Sequence, residues 1–192
     1  MAGKGSKFER DMARAFSMWF SEGKSDELFW RVMGSGGRAT RRSRTGKAVK
    51  NQSFGDLEAT SPESKVFTDA VVVELKRGYG RWSFEDVIDN KVASTQPWAK
   101  FCQQTLESWR DSGRRFWMVV YKRDQRHNMV ALQPEFFIWL YGTALKDAPA
   151  RKMEMTEAPK LFLKNAGDYS CAVMRLEDFF AAVHPEVFKE LL

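Results

Sequence analysis

Val71-Val72-Val73-Glu74-Leu75-Lys76 begins with three consecutive β-branched residues and predicts a strand over Ala70–Lys76. Alternate residues of a strand share a face, so Val71, Val73 and Leu75 point to one side while Glu74 and Lys76 point to the other. Opposite charges are thereby held side by side at the polar end of an apolar strand. Taken alone, such a Glu-x-Lys pair is an ordinary ion pair on a strand face, so its meaning depends on what surrounds it.

Upstream, Gly55–Thr60 reads as another strand, in which Asp56 and Glu58 share a face. Ser61-Pro62-Glu63-Ser64 reads as a turn, so the two strands are expected to pair as a hairpin that brings Asp56 near Glu74. Two convergent carboxylates form a hard-oxygen site suited to Mg²⁺, with Mn²⁺ as a substitute, and the Lys76 ammonium can orient a water or stabilise developing charge. Phosphodiester hydrolysis needs this equipment. Asp69 is a rival carboxylate, but it lies five residues before Glu74 and so on the opposite face. Glu58 is a candidate outer ligand, and Gln96, just before Pro97, reads as an exposed polar residue.

In the N-terminal part, Lys7–Phe20 has apolar residues at helical spacing, with Ser6 as cap and Glu9 at the capping-box offset. Glu9 also precedes Ala13, Phe16 and Phe20 by four, seven and eleven, so its carboxylate lies on or beside the buried stripe and wants a partner, a cap or a metal. A short strand, Phe29–Met33, leads into a glycine-rich basic stretch. From Arg31 to Gln52 there are seven positive residues and no acidic one, enough to outweigh the net charge of +6. Arginine forks and close-approaching glycine backbone suit phosphates, so Arg10, Arg31, Arg38, Arg41 and Arg42 are candidate DNA contacts, against the plainer reading of a solvated loop.

Beyond the central strand, helical periodicity runs from Phe84 to about Ser112 with a break near Pro97. Strands are expected at Phe116–Tyr121, Met129–Leu132 and Ser170–Arg175, a short aromatic helix at Pro134–Tyr141, and a closing amphipathic helix at Glu177–Leu192. The tryptophans and the Phe136–Tyr141 cluster recur mostly at core spacing and read as packing. Gly142–Gly167, with its charges and Pro149 and Pro159, reads as a surface excursion or a small lobe. The whole is an α/β chain around a central mixed sheet, expected as one domain over 1–192 with a core of about 1–133 and a C-terminal extension of about 134–192.

The 192-residue length supports a sizeable core, and no apolar run approaches the roughly 18–20 residues that span a bilayer. Cys102 and Cys171 are 69 positions apart and only two histidines, His127 and His184, exist, leaving almost no material for a zinc site or a disulfide framework. A cytoplasmic setting is the expectation.

In this order, the acid-bearing first helix, the glycine-rich arginine stretch, the Asp strand and the Glu-x-Lys strand resemble the PD-(D/E)xK nucleases, and among them the archaeal-type Holliday junction resolvases and their phage relatives. The resemblance covers roughly Gly3–Gly78. Lys4-Gly5-Ser6-Lys7-Phe8-Glu9-Arg10 is similar to the resolvases' opening helix, Arg31–Gly37 to their arginine strand and Gly-Ser-Gly loop, which would put Ser35 on the DNA backbone, and Gly55-Asp56 stands where their Pro-Asp stands. The resemblance implies a restriction-endonuclease-like core, with Asp56 and Glu74 as metal ligands, Glu9 completing or supporting the metal shell, and Lys76 positioning the attacking water. It implies a homodimer that cuts branched DNA. Two departures stand out, Gly55 in place of proline and a long basic insertion between Gly37 and Phe54. The first is one these families often tolerate; the insertion leaves open a restriction-type, nicking or recombination nuclease on duplex DNA or DNA ends, while a non-catalytic DNA-binding protein is the alternative of a different class.

Overall fold

The computed structural model describes residues 4–32, 54–78, 97–147, 161–163 and 170–191. In chain order these form α1 (Lys4–Phe20), β1 (Phe29–Arg31), β2 (Leu57–Ala59), α2 (Pro62–Ala70), β3 (Val71–Arg77), α3 (Pro97–Ser112), β4 (Phe116–Lys122), β5 (Asn128–Leu132), α4 (Pro134–Asp147), β6 (Leu161–Leu163), β7 (Cys171–Arg175) and α5 (Leu176–Ala182), closed by a 3₁₀ segment, Pro185–Leu191. The main sheet has the order β3-β4-β5-β7-β6. β3 and β4 run parallel and the other pairings are antiparallel, so the sheet is mixed, as expected.

Both faces of the sheet are covered, which is why β3 is a continuous apolar run instead of a simple alternation. Val71, Val73 and Leu75 pack with Met118, Val120, Val130 and Leu132 against Phe8, Met12 and Phe16 of α1, Phe67 of α2 and Phe179 of α5. Val72, on the other face, joins Trp117, Val119 and Val173 beneath Trp98, Phe101 and Leu106 of α3. Glu74 and Lys76 share Val72's face by strand alternation and therefore lie on the α3 side.

The expected hairpin does not form. β2 pairs with β1 in a separate two-stranded ribbon, and α2 occupies the stretch between β2 and β3. Ser61-Pro62-Glu63-Ser64 is a helix start and not a turn: Ser61 and Ser64 form a reciprocal capping box with Pro62 in the first helical turn. α1 starts at Lys4, which puts Ser6 inside the helix, not at its cap. The closing helix breaks at Val183-His184-Pro185 and continues as 3₁₀, while α4 runs beyond Tyr141 to Asp147. The Phe84–Gln96 part of the expected third helix lies outside the described residues.

The aromatic residues do pack. Phe16, Phe20, Phe29 and Phe67 meet at centroid distances of 5.4–6.4 Å, mostly edge to face. Buried Ser17 ties α1 to β1, its Oγ donating to Ala13 O at 2.8 Å and accepting from Phe29 N at 2.8 Å. No helix among the described residues is long and apolar enough to cross a membrane.

Candidate active site

Asp56 reaches β3 by a close backbone crossing. Gly55 has φ +78°, and a Cβ built there would lie 2.5 Å from Val73 O, so only glycine lets the chain pass so close. Proline, whose φ is fixed near −65°, cannot take this conformation, which gives the Gly55 departure a physical reason. Asp56 N donates to Val73 O at 2.8 Å, Val32 N donates to Asp56 O at 3.0 Å, and Asp56 Oδ2 accepts from Leu75 N at 2.9 Å. Arg114 buttresses the crossing. Its Nη1 donates to Phe54 O at 3.1 Å and Val71 O at 3.4 Å, with the guanidinium 5.9 Å from the Phe54 ring centroid.

Glu74 is only 1% exposed and Asp56 4%. Lys76 Nζ donates to Glu74 Oε2 at 2.6 Å and to Asp56 Oδ2 at 3.5 Å, so one ammonium bridges both carboxylates. From α3, Gln104 Nε2 donates to Glu74 Oε2 at 3.3 Å and Ser108 Oγ to Glu74 Oε1 at 3.3 Å. Burial, followed by the nearby Asp56 charge, pushes the Glu74 carboxyl from 4.5 up to about 7, against the opposing pull of Lys76. Burial works against the Lys76 charge, but Glu74 and Asp56 outweigh it and hold the ammonium above its ordinary range.

These side chains suit a divalent cation. Asp56 and Glu74 repel each other in a dry setting when both are charged, and the shared side-chain hydrogen bond between them holds a proton on Glu74 that a cation would replace. The donors are carboxylate oxygens, the chemistry that Mg²⁺ and Mn²⁺ prefer. A cation between the two carboxylates would offset the repulsion that now raises the Glu74 carboxyl.

Glu9 does not lie in a three-carboxylate group, since no cluster of three Asp, Glu, His or Cys side chains occurs among the described residues. It receives Arg31 Nη1 at 3.1 Å in a largely covered ion pair. Arg10, beside it on α1, is half-buried. Ser35, Arg38, Arg41, Arg42 and Gln96 lie outside the described residues. Asp69 is exposed at the end of α2 and pairs with Lys65, and exposed Glu58 acts with Asp69 on Arg114, away from Glu74. Gln104 and Ser108 escaped the sequence reading, although their four-residue spacing puts them on one helix face beside buried Phe101 and Thr105. Which strand residue that face covers depends on how α3 crosses the sheet, and periodicity does not carry that information.

A family model described as phage putative PDDEXK endonuclease matches residues 2–190. No curated protein and no solved structure is significantly similar to the chain. The match spans nearly all of the sequence, and the chain carries Asp56 against Glu74 and Lys76 of β3, in a mixed sheet of the restriction-endonuclease-like kind. The chain therefore belongs to the phage PD-(D/E)xK endonuclease family.

Proposed function

We propose that the protein, read as one nuclease domain over 1–192, is a divalent-metal-dependent endonuclease that hydrolyses phosphodiester bonds of branched DNA, a Holliday junction being the preferred substrate. The observation that carries this reading is the buried Asp56–Lys76–Glu74 arrangement, in which one ammonium bridges two carboxylates at 3.5 and 2.6 Å. Asp56 and Glu74 would hold Mg²⁺, or Mn²⁺ in its place, with Glu9 in a supporting role through its pair with Arg31. When bound, the cation supplies Lewis acidity toward the phosphate and a more acidic water.

Lys76 Nζ has a donor to spare beyond its two carboxylate contacts and is suited to hold the oxygen of an incoming water in line with phosphorus. In-line attack would leave 5′-phosphate and 3′-hydroxyl ends. Gln104 and Ser108 fix the Glu74 carboxylate so that its oxygens stay directed at the site. Arg10, Arg31, Ser35, Arg38, Arg41 and Arg42 would grip the DNA backbone, and two copies of the chain would cut opposite strands of a junction.

The test is a panel of a four-way junction, a matched duplex and a single strand, each with Mg²⁺ and with chelator. Paired symmetrical cuts in the junction alone, lost with chelator, are expected. Cutting of the duplex would move the activity to a restriction-type or recombination nuclease, and no cutting of any substrate would favour a DNA-binding protein.

A further inference from the structure

We infer that a cavity of about 440 Å³ beside the turn between β4 and β5 binds one nucleotide unit of a DNA strand passing the carboxylate pair. Only the identity of that strand rests on the nuclease reading; the binding chemistry stands on the cavity itself. Lys122, Arg126, His127, Asn128, Glu177 and Phe180 line it, and its volume falls within the roughly 300–1,000 Å³ of small-molecule sites.

The charge balance calls for an anion. Arg175 is shared by Glu177 at 3.0 Å and Asp178 at 2.7 Å, and His127 lies 3.5 Å from Glu177, while Lys122 and Arg126 make no ion pair among the described residues, so the cavity's surroundings carry an excess of positive charge. The remaining walls suit a base. Phe180, which lines the cavity, stacks on Trp19, ring centroids 5.2 Å apart and planes 18° from parallel. Asn128 Oδ1 is buried without a hydrogen-bond partner, an acceptor that a base's exocyclic amino group, present in adenine and absent from thymine, would satisfy. At the turn, Gln125 holds φ +60°, a conformation uncommon for a residue with a side chain.

The cavity sits where a strand from the active site would arrive. Lys122 pairs with Arg77, three residues beyond Glu74, and Gly78 N donates to Lys122 O at 3.1 Å. Strand geometry sets Lys122 about 11 Å from Glu74. At about 3.4 Å per nucleotide a DNA strand needs at least about three steps to cover that separation. Strand alternation puts Lys122 on the sheet face opposite Glu74, so the nucleic acid would pass over the ends of β3 and β4.

The experiment is titration of the full chain, in chelator, with 2′-deoxyadenosine 5′-monophosphate, thymidine 5′-monophosphate, deoxyadenosine and inorganic phosphate. Wild type is expected to bind the adenine nucleotide tighter than the other three, and Lys122→Gln/Arg126→Gln to weaken that binding at least tenfold. Asn128→Leu, which roughly keeps the side-chain volume and removes the acceptor, should weaken it too, and Asp56→Asn should leave it unchanged. No binding by wild type, phosphate binding as tightly as the nucleotide, or undiminished binding by the double variant would overturn the site. Nucleotide binding by a protein that cuts no DNA would sink the nuclease reading and leave the cavity standing. Active cleavage with no nucleotide binding would do the reverse.

Discussion

Replacing Glu74 by Gln is expected to stabilise the metal-free protein at neutral and alkaline pH while removing a ligand. Burial and the Asp56 charge raise the Glu74 carboxyl from 4.5 to about 7, so the folded state holds a proton that the unfolded chain releases. The stabilisation from this group is therefore full below pH 4.5 and is lost as pH rises through about 7. At about 1.4 kcal/mol per tenfold change in proton affinity, the loss is about 3 kcal/mol. Glutamine does not titrate. Its amide oxygen can accept from Lys76 and Gln104, and its NH₂ can donate to Ser108 Oγ, which retains the existing contacts. In chelator above pH 8, Glu74→Gln should melt about 6–12 °C above wild type, at about 2–4 °C per kcal/mol for a domain of this size. Near pH 4.5 the two should converge. Thermal unfolding across pH 4.5–9 measures this, and a variant less stable than wild type at pH 8 would refute the reasoning, because it would mean the Lys76 ion pair outweighs burial. Millimolar Mg²⁺ should raise the melting temperature of wild type only.

Gly55→Ala should cost about 2 kcal/mol or more and abolish cleavage, since its Cβ would meet Val73 O at 2.5 Å on top of the strain of positive φ. Gly113→Ala, at φ +67° with open space around it, is the control and should cost about 1 kcal/mol in denaturant unfolding and leave cleavage intact. Gln104→Ala and Ser108→Ala should each lower kcat about 10–100-fold with KM nearly unchanged, because they act through Glu74. A rise in KM alone in steady-state cleavage would show that they touch DNA instead. Arg114→Ala should destabilise by about 2–3 kcal/mol in the same unfolding assay, leaving the Phe54 and Val71 carbonyls without their charged donor.

The chemistry of the site is legible in sequence because strand alternation is a local rule. Glu74 and Lys76 had to share a face, and the triple valine had to be buried. Their meeting with Asp56 was anticipated, but by the wrong route. A serine and a proline before a polar residue start helices as readily as they form turns, and at Ser61 the capping box prevailed, so the expected hairpin became a helix and a separate ribbon. What carries Asp56 to β3 is a glycine at positive φ, a backbone property that its residue type permits but does not specify. Gln104, Ser108 and Arg114 were invisible for a related reason, because each acts on a residue at least 30 positions away and packing alone chooses the partner.

The most direct measurement is cleavage and binding of one branched DNA by wild type and Asp56→Asn, in Mg²⁺ and in chelator. Asp56 touches Lys76 and Leu75 N and is the carboxylate that would hold the cation with Glu74. Cutting by wild type in Mg²⁺ alone, lost in Asp56→Asn while DNA binding persists, is the predicted result; cutting by Asp56→Asn at the wild-type rate would contradict the assignment of this site.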